Sequence, residues 1–511
     1  MIMATTILIP AADTLSGAMF RLGVIAALRS RSVGGATIGC MVTASHNPEC
    51  DNGAKLIDPL GEMMEISWEA RTTEVVNAAD NELLEKLEKI VTELAIPEGY
   101  SNVVVGCDTR KSSPGLLQAV IDGAGSVASC MVQDVGTVTT PQLHFIVRCR
   151  NDPKYGTASL DGYYGKLSAA FNRVVSTTAS NPTHYNPKLT VDAANGVGSE
   201  KLRVLAGHLG GSVQVTIVND GDGILNHECG ADYVKTGQKA PAGLTLSPLA
   251  RYASLDGDAD RLVYYFADSE GKFRLLDGDR IATLLTRYLK KLLDEAQVKD
   301  LDLAIIQTAY ANGSSTEYIR NKLNVSVTCV PTGVKHLHHE ALKAGVGIYF
   351  EANGHGTICF SARAKQLIAS SNAVASRKLL DFIDMTNETV GDALSDLLLV
   401  EAVLRDLDLD VADWLSEYED LPSRQIKVTV PDRTAIKTTN AETKCTAPEG
   451  LQAAIDTAVA RYPKGRSFVR PSGTEDIVRV YAEAAGETNG KENAELLAAE
   501  VVRLVQTFLA E

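Results

Sequence analysis

The segment Thr43-Ala44-Ser45-His46-Asn47-Pro48 follows the apolar run Ala36-Thr37-Ile38-Gly39-Cys40-Met41-Val42. A short apolar run bounded by turn residues predicts a buried strand, and Asp51-Asn52-Gly53 gives a strong turn signal just beyond it. Ser45 is therefore a hydroxyl nucleophile candidate at the end of a strand. A helix cap is the alternative interpretation of the same residue.

Strand-like and helix-like segments alternate outward from this point. Strands are predicted at Ala36–Val42, Asn102–Gly106, Cys130–Asp134, Leu189–Ala194, Ser212–Val218, Leu301–Ile306, Val325–Val330 and Val346–Phe350. Helices are predicted at Leu83–Leu94 and Gly115–Gly123 and from Thr14, Ser199, Ser315 and Val334 onward. This alternation predicts three consecutive α/β domains with mixed sheets sandwiched by helices.

The C-terminal part has a different pattern. Its predicted strands are Gln425–Val430 and Ile477–Ala482, and its predicted helices are Leu451–Arg461 and Asn493–Leu509. This order predicts a smaller α+β domain that closes the active-site cleft. The acidic segment Asp406–Asp420, which contains Trp414, is interpreted as a helical linker before it.

Length and composition restrict the class of protein. A chain of 511 residues predicts three or four domains, and its net charge of −15 disfavours a nucleic-acid or membrane-surface binder. Nine scattered cysteines without a C-x-x-C pair predict reduced thiols in a cytoplasmic protein. The N-terminus lacks the basic region of a signal peptide, and no uncharged apolar run of about 18 residues predicts a membrane span.

The segment Leu255-Asp256-Gly257-Asp258-Ala259-Asp260-Arg261 alternates carboxylates with small residues directly after a short apolar segment. In a loop this spacing can aim all three carboxylates at one point, which suits Mg²⁺. A calcium EF-hand loop is excluded because position six is Arg261 rather than glycine and position twelve is Ala267 rather than glutamate. A solvated acidic turn remains the alternative.

Two further loops carry polar groups suited to a sugar phosphate. In Arg470-Pro471-Ser472-Gly473-Thr474-Glu475, an arginine and two hydroxyls can bind a phosphate together with backbone N–H groups. In Glu351-Ala352-Asn353-Gly354-His355-Gly356-Thr357, Glu351 and Asn353 can bind sugar hydroxyls, and His355 can lie near a phosphate or ring oxygen. An ordinary turn and a hairpin loop are the respective alternatives.

These four segments resemble the motifs of the α-D-phosphohexomutase superfamily, and the form Glu351-Ala352-Asn353-Gly354-His355-Gly356 is similar to that of its phosphoacetylglucosamine mutase family. The resemblance runs from about Met19 to the C-terminus. It implies interconversion of N-acetylglucosamine 6-phosphate and 1-phosphate on the route to UDP-N-acetylglucosamine. It also implies a phosphoserine enzyme, one Mg²⁺ per active site, a sugar 1,6-bisphosphate primer and a monomer.

The patterns and the resemblance together assign roles to individual residues. Ser45, His46, Lys55 and Arg261 are the catalytic candidates, with Lys55 acting as acid or base if its pKa is lowered. Ser45, Asp256, Asp258 and Asp260 are the expected metal ligands. The expected substrate-binding residues are Glu351, Asn353, His355, Arg470, Ser472, Gly473, Thr474 and Arg479. The expected domains are 1–185 (phosphoserine), 186–299 (metal), 300–412 (sugar) and 413–511 (phosphate).

Two departures from the family pattern keep other functions open. Family members carry a Gly-Thr-Ala-Gly-Phe-Arg-like segment near the N-terminus, which this sequence does not show. Cys107 also stands where the first arginine of a Gly-Arg-Asp-Thr-Arg motif would be. The alternatives are therefore a phosphoglucomutase or phosphomannomutase, or an inactive sugar-phosphate-binding protein.

Overall fold

The computed structural model describes residues 15–178, 182–472, 476–486 and 490–510. The described chain forms two compact units. The first runs to Asp277 and includes Asn353–Thr357 and Val374–Ala412. The second comprises Gly278–Ala352, Ile358–Ala373 and the chain from Asp413 onward. None of the helices in these ranges is both long enough and apolar enough to cross a bilayer.

The first unit begins with a mixed four-stranded sheet in the order β2-β1-β3-β4. Its strands are β1 (Thr37–Val42), β2 (Ala54–Ile57), β3 (Ser101–Cys107) and β4 (Cys130–Thr137). β1 and β4 each run parallel to β3, and β2 is antiparallel to β1. The accompanying helices are α1 (Ser16–Ser32), α2 (Ile66–Val76), α3 (Leu83–Glu93), α4 (Ser113–Gly125), α5 (Thr140–Asn151) and α6 (Leu160–Ser176).

A second sheet of the same unit has the order β6-β5-β7-β8-β9. Its strands are β5 (Lys188–Asp192), β6 (Gln214–Val218), β7 (Tyr252–Leu255), β8 (Leu262–Ala267) and β9 (Phe273–Leu276). β6 and β7 are parallel to β5, whereas β8 and β9 continue as antiparallel strands. The helices here are α7 (Gly198–Gly207), α8 (Ala231–Gly237), α13 (Val374–Met385) and α14 (Ala393–Asp406).

The remaining sheets are a mainly parallel one, ordered β11-β10-β12-β13, and an antiparallel one, ordered β14-β18-β17. The strands are β10 (Leu303–Gln307), β11 (Ser326–Cys329), β12 (Val346–Phe350), β13 (Gly356–Phe360), β14 (Ser423–Thr429), β17 (Arg466–Pro471) and β18 (Ile477–Glu483), with the hairpin β15 (Lys437–Thr439) and β16 (Lys444–Ala447). The helices are α9 (Gly278–Glu295), α10 (Gly313–Asn321), α11 (Val334–Ala341), α12 (Ala362–Ser370), α15 (Val411–Leu415), α16 (Leu451–Val459) and α17 (Gly490–Ala510).

The three helix-covered α/β sheets and the C-terminal antiparallel sheet confirm the predicted fold class of three α/β domains followed by an α+β domain. Three predicted strands were too long. Leu189–Ala194 ends at Asp192, because Ala194 turns into the left-handed region with φ 56°. Ser212–Val218 begins only at Gln214, and Val325–Val330 is reduced to Ser326–Cys329. The predicted start of the first helix, Thr14, lies outside the described residues, and α1 is assigned from Ser16.

The segment Asp406–Asp420 is packed more firmly than the linker interpretation implied. Within it, α15 buries the Trp414 side chain completely, and the indole Nε1 donates to the Arg280 carbonyl at 3.2 Å. The Arg280 guanidinium in turn lies 3.6 Å from the centre of the Tyr418 ring. Apolar burial and this cation–π contact fix the segment against α9.

Candidate active site

Ser45 lies just beyond β1 in a backbone conformation that residues other than glycine rarely adopt. Its φ is 51°, in the left-handed region, and the residue is only 7% exposed. Such conformations persist where the surroundings stabilise them, and they cluster at functional sites. Part of that support is local, because the Ser45 amide donates to Thr43 Oγ1 at 2.9 Å.

Two side chains from elsewhere in the unit hold the carbonyls of the serine loop. Arg110 Nη2 donates to the Ser45 carbonyl at 2.8 Å and to the Asn47 carbonyl at 2.9 Å, while its Nε donates to Asp108 Oδ2 at 3.0 Å. Asn226 Nδ2 donates to the same two carbonyls at 2.9 and 3.0 Å. The serine loop is therefore held through its backbone carbonyls. Arg110 is the last residue of the segment Gly106–Arg110, in which Cys107 stands in place of an arginine.

The three carboxylates of the loop after β7 converge as their spacing predicted. Asp256, Asp258 and Asp260 are all buried and each offers an oxygen within 4.8 Å of the others. Ser45 Oγ donates to Asp256 Oδ2 at 2.8 Å, which brings the nucleophile candidate to this cluster. Thr140, the first residue of α5, donates from Oγ1 to Asp258 Oδ2 at 2.6 Å.

The donor set of this cluster fits a hard divalent cation. Burial and the nearby Asp260 and Asp258 carboxylates raise the pKa of Asp256 well above its usual value, because each disfavours a further negative charge at this place. Asp258 Oδ1 is buried, and no partner for it is found within the described part of the chain. Clustered carboxylate oxygens are the ligands that Mg²⁺ takes in proteins.

Lys55 is ion-paired within this cluster. Its Nζ donates to Asp258 Oδ2 at 2.9 Å and to Asp260 Oδ2 at 2.8 Å. Burial alone would lower the pKa of Lys55, but these two carboxylates raise it above its ordinary value. This direction is opposite to the lowered pKa that proton handling by Lys55 requires, and it makes Lys55 a fixed positive charge.

His46 and Arg261 lie together beside the serine and metal loops. Burial and the nearby Arg261 lower the pKa of His46 to about 4, so the imidazole is neutral near pH 7. Arg261 Nη1 donates to Asp232 Oδ1 at 2.5 Å, and His46 Nε2 lies 3.5 Å from the other oxygen of that carboxylate. The structure thus places all four catalytic candidates around the carboxylate cluster.

The predicted sugar loop is fixed at Gly354, whose φ is 90°. A Cβ there would lie 2.0 Å from the Leu262 carbonyl, and Leu262 N donates to the Gly354 carbonyl at 3.1 Å. His355 is directed at the metal loop, because its Nδ1 lies 3.3 Å from Asp260 Oδ1. Asn353 Oδ1 accepts from the His355 amide at 3.0 Å, and Glu351 follows β12 with a half-buried side chain.

The predicted phosphate loop leaves the C-terminal sheet at the end of β17. Arg470 faces Arg479 across the β17–β18 ladder, so two guanidinium groups share one face of the sheet. Arg470 Nε donates to Glu442 Oε1 at 2.8 Å. Ser472 is buried and its amide donates to the first residue of β18 at 2.9 Å, whereas Gly473–Thr474 lie outside the described residues.

Sequence reasoning gave no role to Thr140, Asn226 and Asp232, which contact these groups, or to His144, which lies near them. Thr140 had a usable signal, since Thr139 and Gln142 form a capping box that marks the start of α5. Asn226 and Asp232 gave no local signal. His144 also went unnoticed: its Nδ1 donates to the Gly61 carbonyl at 2.6 Å, and burial lowers its pKa to about 3.

Family models match most of the chain. "Phosphoacetylglucosamine mutase AMG1, domain II" matches residues 155–263 and "domain III" of that family matches residues 277–409. "Phosphoglucomutase/phosphomannomutase, alpha/beta/alpha domain I" matches residues 65–187, and the "C-terminal domain" of that family matches residues 426–503. Together with the serine and metal loops, these matches define an α-D-phosphohexomutase fold.

Relatives narrow the class further. The chain is 49% identical over 500 residues to phosphoacetylglucosamine mutase of Sus scrofa, covering 96% of this chain and 91% of the relative. It is 47% identical over 506 residues to that of Candida albicans, covering 94% of this chain and 92% of the relative. The chain belongs to the phosphoacetylglucosamine mutase family, whose members are isomerases.

Solved structures agree over nearly the whole chain. A crystal structure of N-acetylglucosamine-phosphate mutase in the product complex superposes with a TM-score of 0.94 at 45% identity, covering 99% of this chain and 96% of that one. The Aspergillus fumigatus enzyme in complex with GlcNAc-6P and magnesium gives 0.93 at 46% identity, covering 98% and 95%. A serine-to-alanine variant of the Aspergillus enzyme with glucose 1,6-bisphosphate gives 0.92 at 45% identity, covering 99% and 95%.

Proposed function

We propose that this chain interconverts N-acetylglucosamine 6-phosphate and N-acetylglucosamine 1-phosphate through a phosphoserine at Ser45. The observation that carries the proposal is the hydrogen bond of 2.8 Å from Ser45 Oγ to Asp256, inside a buried cluster of three carboxylates. A hydroxyl held in a cation site can carry a phosphoryl group whose charge the cation offsets.

In the first half-reaction the free hydroxyl of the sugar monophosphate attacks the phosphorus of the phosphoserine. The bond from phosphorus to Ser45 Oγ breaks, and the sugar becomes a 1,6-bisphosphate. The hydroxyl proton leaves the sugar, and Ser45 regains a proton overall. Neutral His46 can accept a hydrogen bond here, whereas Lys55 and Arg261 act as fixed positive charges.

The carboxylates Asp256, Asp258 and Asp260, with Ser45, would hold one Mg²⁺. When bound, the metal offsets the negative charge of the transferring phosphoryl group. Thr140 and Lys55 fix the orientation of Asp258 by donating to one of its oxygens, which leaves the other oxygen available for ligation.

In the second half-reaction the bisphosphate has turned end for end, and Ser45 Oγ attacks its other phosphorus. The bond from that phosphorus to the sugar oxygen breaks, the sugar oxygen gains the proton that Ser45 loses, and the phosphoserine is restored. Glu351 and Asn353 are proposed to bind sugar hydroxyls in both orientations. The proposed phosphate site consists of Arg470, Ser472, Gly473, Thr474 and Arg479. Two arginines on one face of the C-terminal sheet support this part of the proposal, because paired guanidinium groups suit a phosphate.

Four domains would carry these loops, with boundaries at 1–185, 186–299, 300–412 and 413–511. We expect a cytoplasmic monomer primed by a sugar 1,6-bisphosphate.

Relaxed specificity toward glucose or mannose phosphates is the second candidate function, and it is favoured by the match of two segments to phosphoglucomutase/phosphomannomutase models. The ratio of kcat/KM for N-acetylglucosamine 1-phosphate and glucose 1-phosphate separates the two.

The deciding experiment is a coupled mutase assay with Mg²⁺ and glucose 1,6-bisphosphate on wild type, Ser45→Ala and Ser168→Ala. Ser168 is the control because it is also buried but donates from Oγ to the Tyr164 carbonyl within α6. We expect the Ser45 variant to lose turnover and the phosphoserine mass increment, and the control to keep both. Near wild-type turnover by Ser45→Ala would overturn the proposal.

A further inference from the structure

The segment Asn226–Asp232, which leads into α8, lies against the serine loop without having any assigned role. At one end, Asn226 Nδ2 donates to the carbonyls of Ser45 and Asn47. At the other end, Asp232 lies in the first turn of α8. The segment therefore contacts the nucleophile loop at one end and carries an acidic side chain at the other.

The backbone that precedes Asp232 is fixed by contacts of Gly230 with buried residues. Gly230 has φ 88°, and its amide donates to Oδ2 of the fully buried Asp192 at 2.7 Å. A Cβ at Gly230 would lie 3.0 Å from the Ala194 Cβ and 3.2 Å from the Leu255 carbonyl. Asp232 is thus held at the end of β7, from which the metal loop starts.

The two oxygens of Asp232 contact two different groups of the reaction site. Oδ1 accepts from Arg261 Nη1 at 2.5 Å, and Oδ2 lies 3.5 Å from His46 Nε2. Arg261 Nε lies 3.9 Å from Asp256 Oδ2 and 3.9 Å from Asp260 Oδ1. Besides Asp232, the carboxylates recorded within ion-pair distance of this guanidinium are therefore two members of the metal cluster.

We propose that Asp232 is a positioning residue for phosphoryl transfer, which holds Arg261 and His46 beside Ser45 and keeps the guanidinium from moving closer than 3.9 Å to the Asp256 and Asp260 carboxylates. The inference rests on the proposed function of those carboxylates as Mg²⁺ ligands. A guanidinium that bound them would compete with the metal, because both are cations that require the same oxygens. Asp232 therefore acts on metal affinity without being a ligand.

A purely structural role would have a different signature. The Asp232 side chain is 38% exposed, and the more buried Arg261, at 16%, keeps the Asp256 and Asp260 carboxylates within 3.9 Å when Asp232 is replaced, so loss of the pair costs little folding stability. Removing it should leave the melting temperature almost unchanged while weakening metal binding and slowing turnover. Residues that orient the groups around a metal typically affect its affinity or the activity by about 10- to 100-fold.

The test uses full-length Asp232→Asn and Asp232→Ala, with Asp220→Asn as the matched control. Asp220 pairs with Arg203 at 3.0 Å and is similarly exposed, but the pair contacts none of the groups above. The Mg²⁺ dissociation constant is measured by calorimetry, and kcat and KM by the coupled assay. We expect a Mg²⁺ constant raised on the order of 10-fold and a fall in kcat larger than the rise in KM, with the control unchanged.

A double-mutant cycle with Arg261→Gln isolates the mechanism. If Asp232 acts through Arg261, Asp232→Asn should add little to the Mg²⁺ constant once the guanidinium is gone. Unchanged Mg²⁺ affinity and kcat in Asp232→Asn, or fully additive effects in the cycle, would overturn the inference. An active Ser45→Ala would instead refute the proposed function, so the two failures are distinguishable.

Discussion

Replacing Thr140 with valine removes one hydroxyl and keeps the side-chain shape. Thr140 is fully buried at the start of α5, and its Oγ1 donates to Asp258 Oδ2 at 2.6 Å. The Thr140 amide also donates to the Asp258 carbonyl at 3.2 Å, and this backbone contact survives the substitution. Only the hydrogen bond that orients the carboxylate is lost.

The size of the effect follows from the partners that remain. A hydrogen bond to a charged group contributes about 1.5–3 kcal/mol, and each 1.4 kcal/mol corresponds to about tenfold in affinity. Lys55 Nζ donates to the same oxygen at 2.9 Å, so Asp258 keeps one partner and the lower end applies. We expect Thr140→Val to raise the Mg²⁺ dissociation constant roughly tenfold.

Calorimetric Mg²⁺ titration checks this value, with the Mg²⁺ dependence of turnover as a second measurement. Thr140→Ser should restore most of the affinity because it retains the hydroxyl. Thr72→Val is the control: Thr72 is also fully buried, but its Oγ1 donates to the Trp68 carbonyl within α2. Wild-type Mg²⁺ affinity in Thr140→Val would refute the idea that the Thr140 hydroxyl orients the Asp258 carboxylate for metal binding.

Three other substitutions test the unit that carries the site. Glu401→Gln should lower the free energy of unfolding in urea by roughly 3–5 kcal/mol, because the buried Arg251 pairs with Glu401 through Nε and Nη2 at 2.9 and 2.7 Å. The folded pKa of His144 is about 3 and its unfolded value is 6.5, so its contribution to stability is present above pH 6.5 and is lost as pH falls toward 3. His144→Gln should remove a slope of about 1.4 kcal/mol per pH unit from unfolding free energies measured between about pH 5.5 and 4, where the unfolded histidine is protonated and the folded one is not. A Cβ added at Gly354 would lie 2.0 Å from the Leu262 carbonyl oxygen, so Gly354→Ala must displace the sugar loop. We expect this substitution to lower the melting temperature and to raise KM for the sugar phosphate. An unchanged KM would argue against a role for this loop in sugar binding.

Local sequence patterns located the loops that matter. β1, β7 and β12 are short apolar runs, and each is followed within three residues by polar or turn-forming residues. The change from an apolar run to polar and turn-forming residues marks the end of the strand, so the position of each loop can be predicted from local composition. The spacing of Asp256, Asp258 and Asp260 indicated that their carboxylates could converge but left a solvated turn as the alternative, which their burial in the structure rules out.

The charge state of Lys55 could not be predicted in this way. Its proximity to Ser45 in sequence suggested an acid or base, a role that requires a lowered pKa, yet its partners Asp258 and Asp260 lie 203 and 205 positions further along the chain. A pKa depends on burial and on the charges within a few ångströms, and both are set by tertiary packing. The Asp232–Arg261 ion pair could not be predicted from the sequence either, because tertiary packing brings together two residues that are 29 positions apart.

The way the serine loop is held has a consequence for a residue that alternates between hydroxyl and phosphate. Arg110 and Asn226 support the left-handed Ser45 by donating to backbone carbonyls, not to its Oγ. A new phosphoryl group adds a charge of about −1.5 to −2 at the side chain, but it removes neither of these hydrogen bonds. The strained backbone can therefore keep one conformation through both half-reactions, and the rearrangement is confined to the partners of Oγ, of which Asp256 is the one seen here.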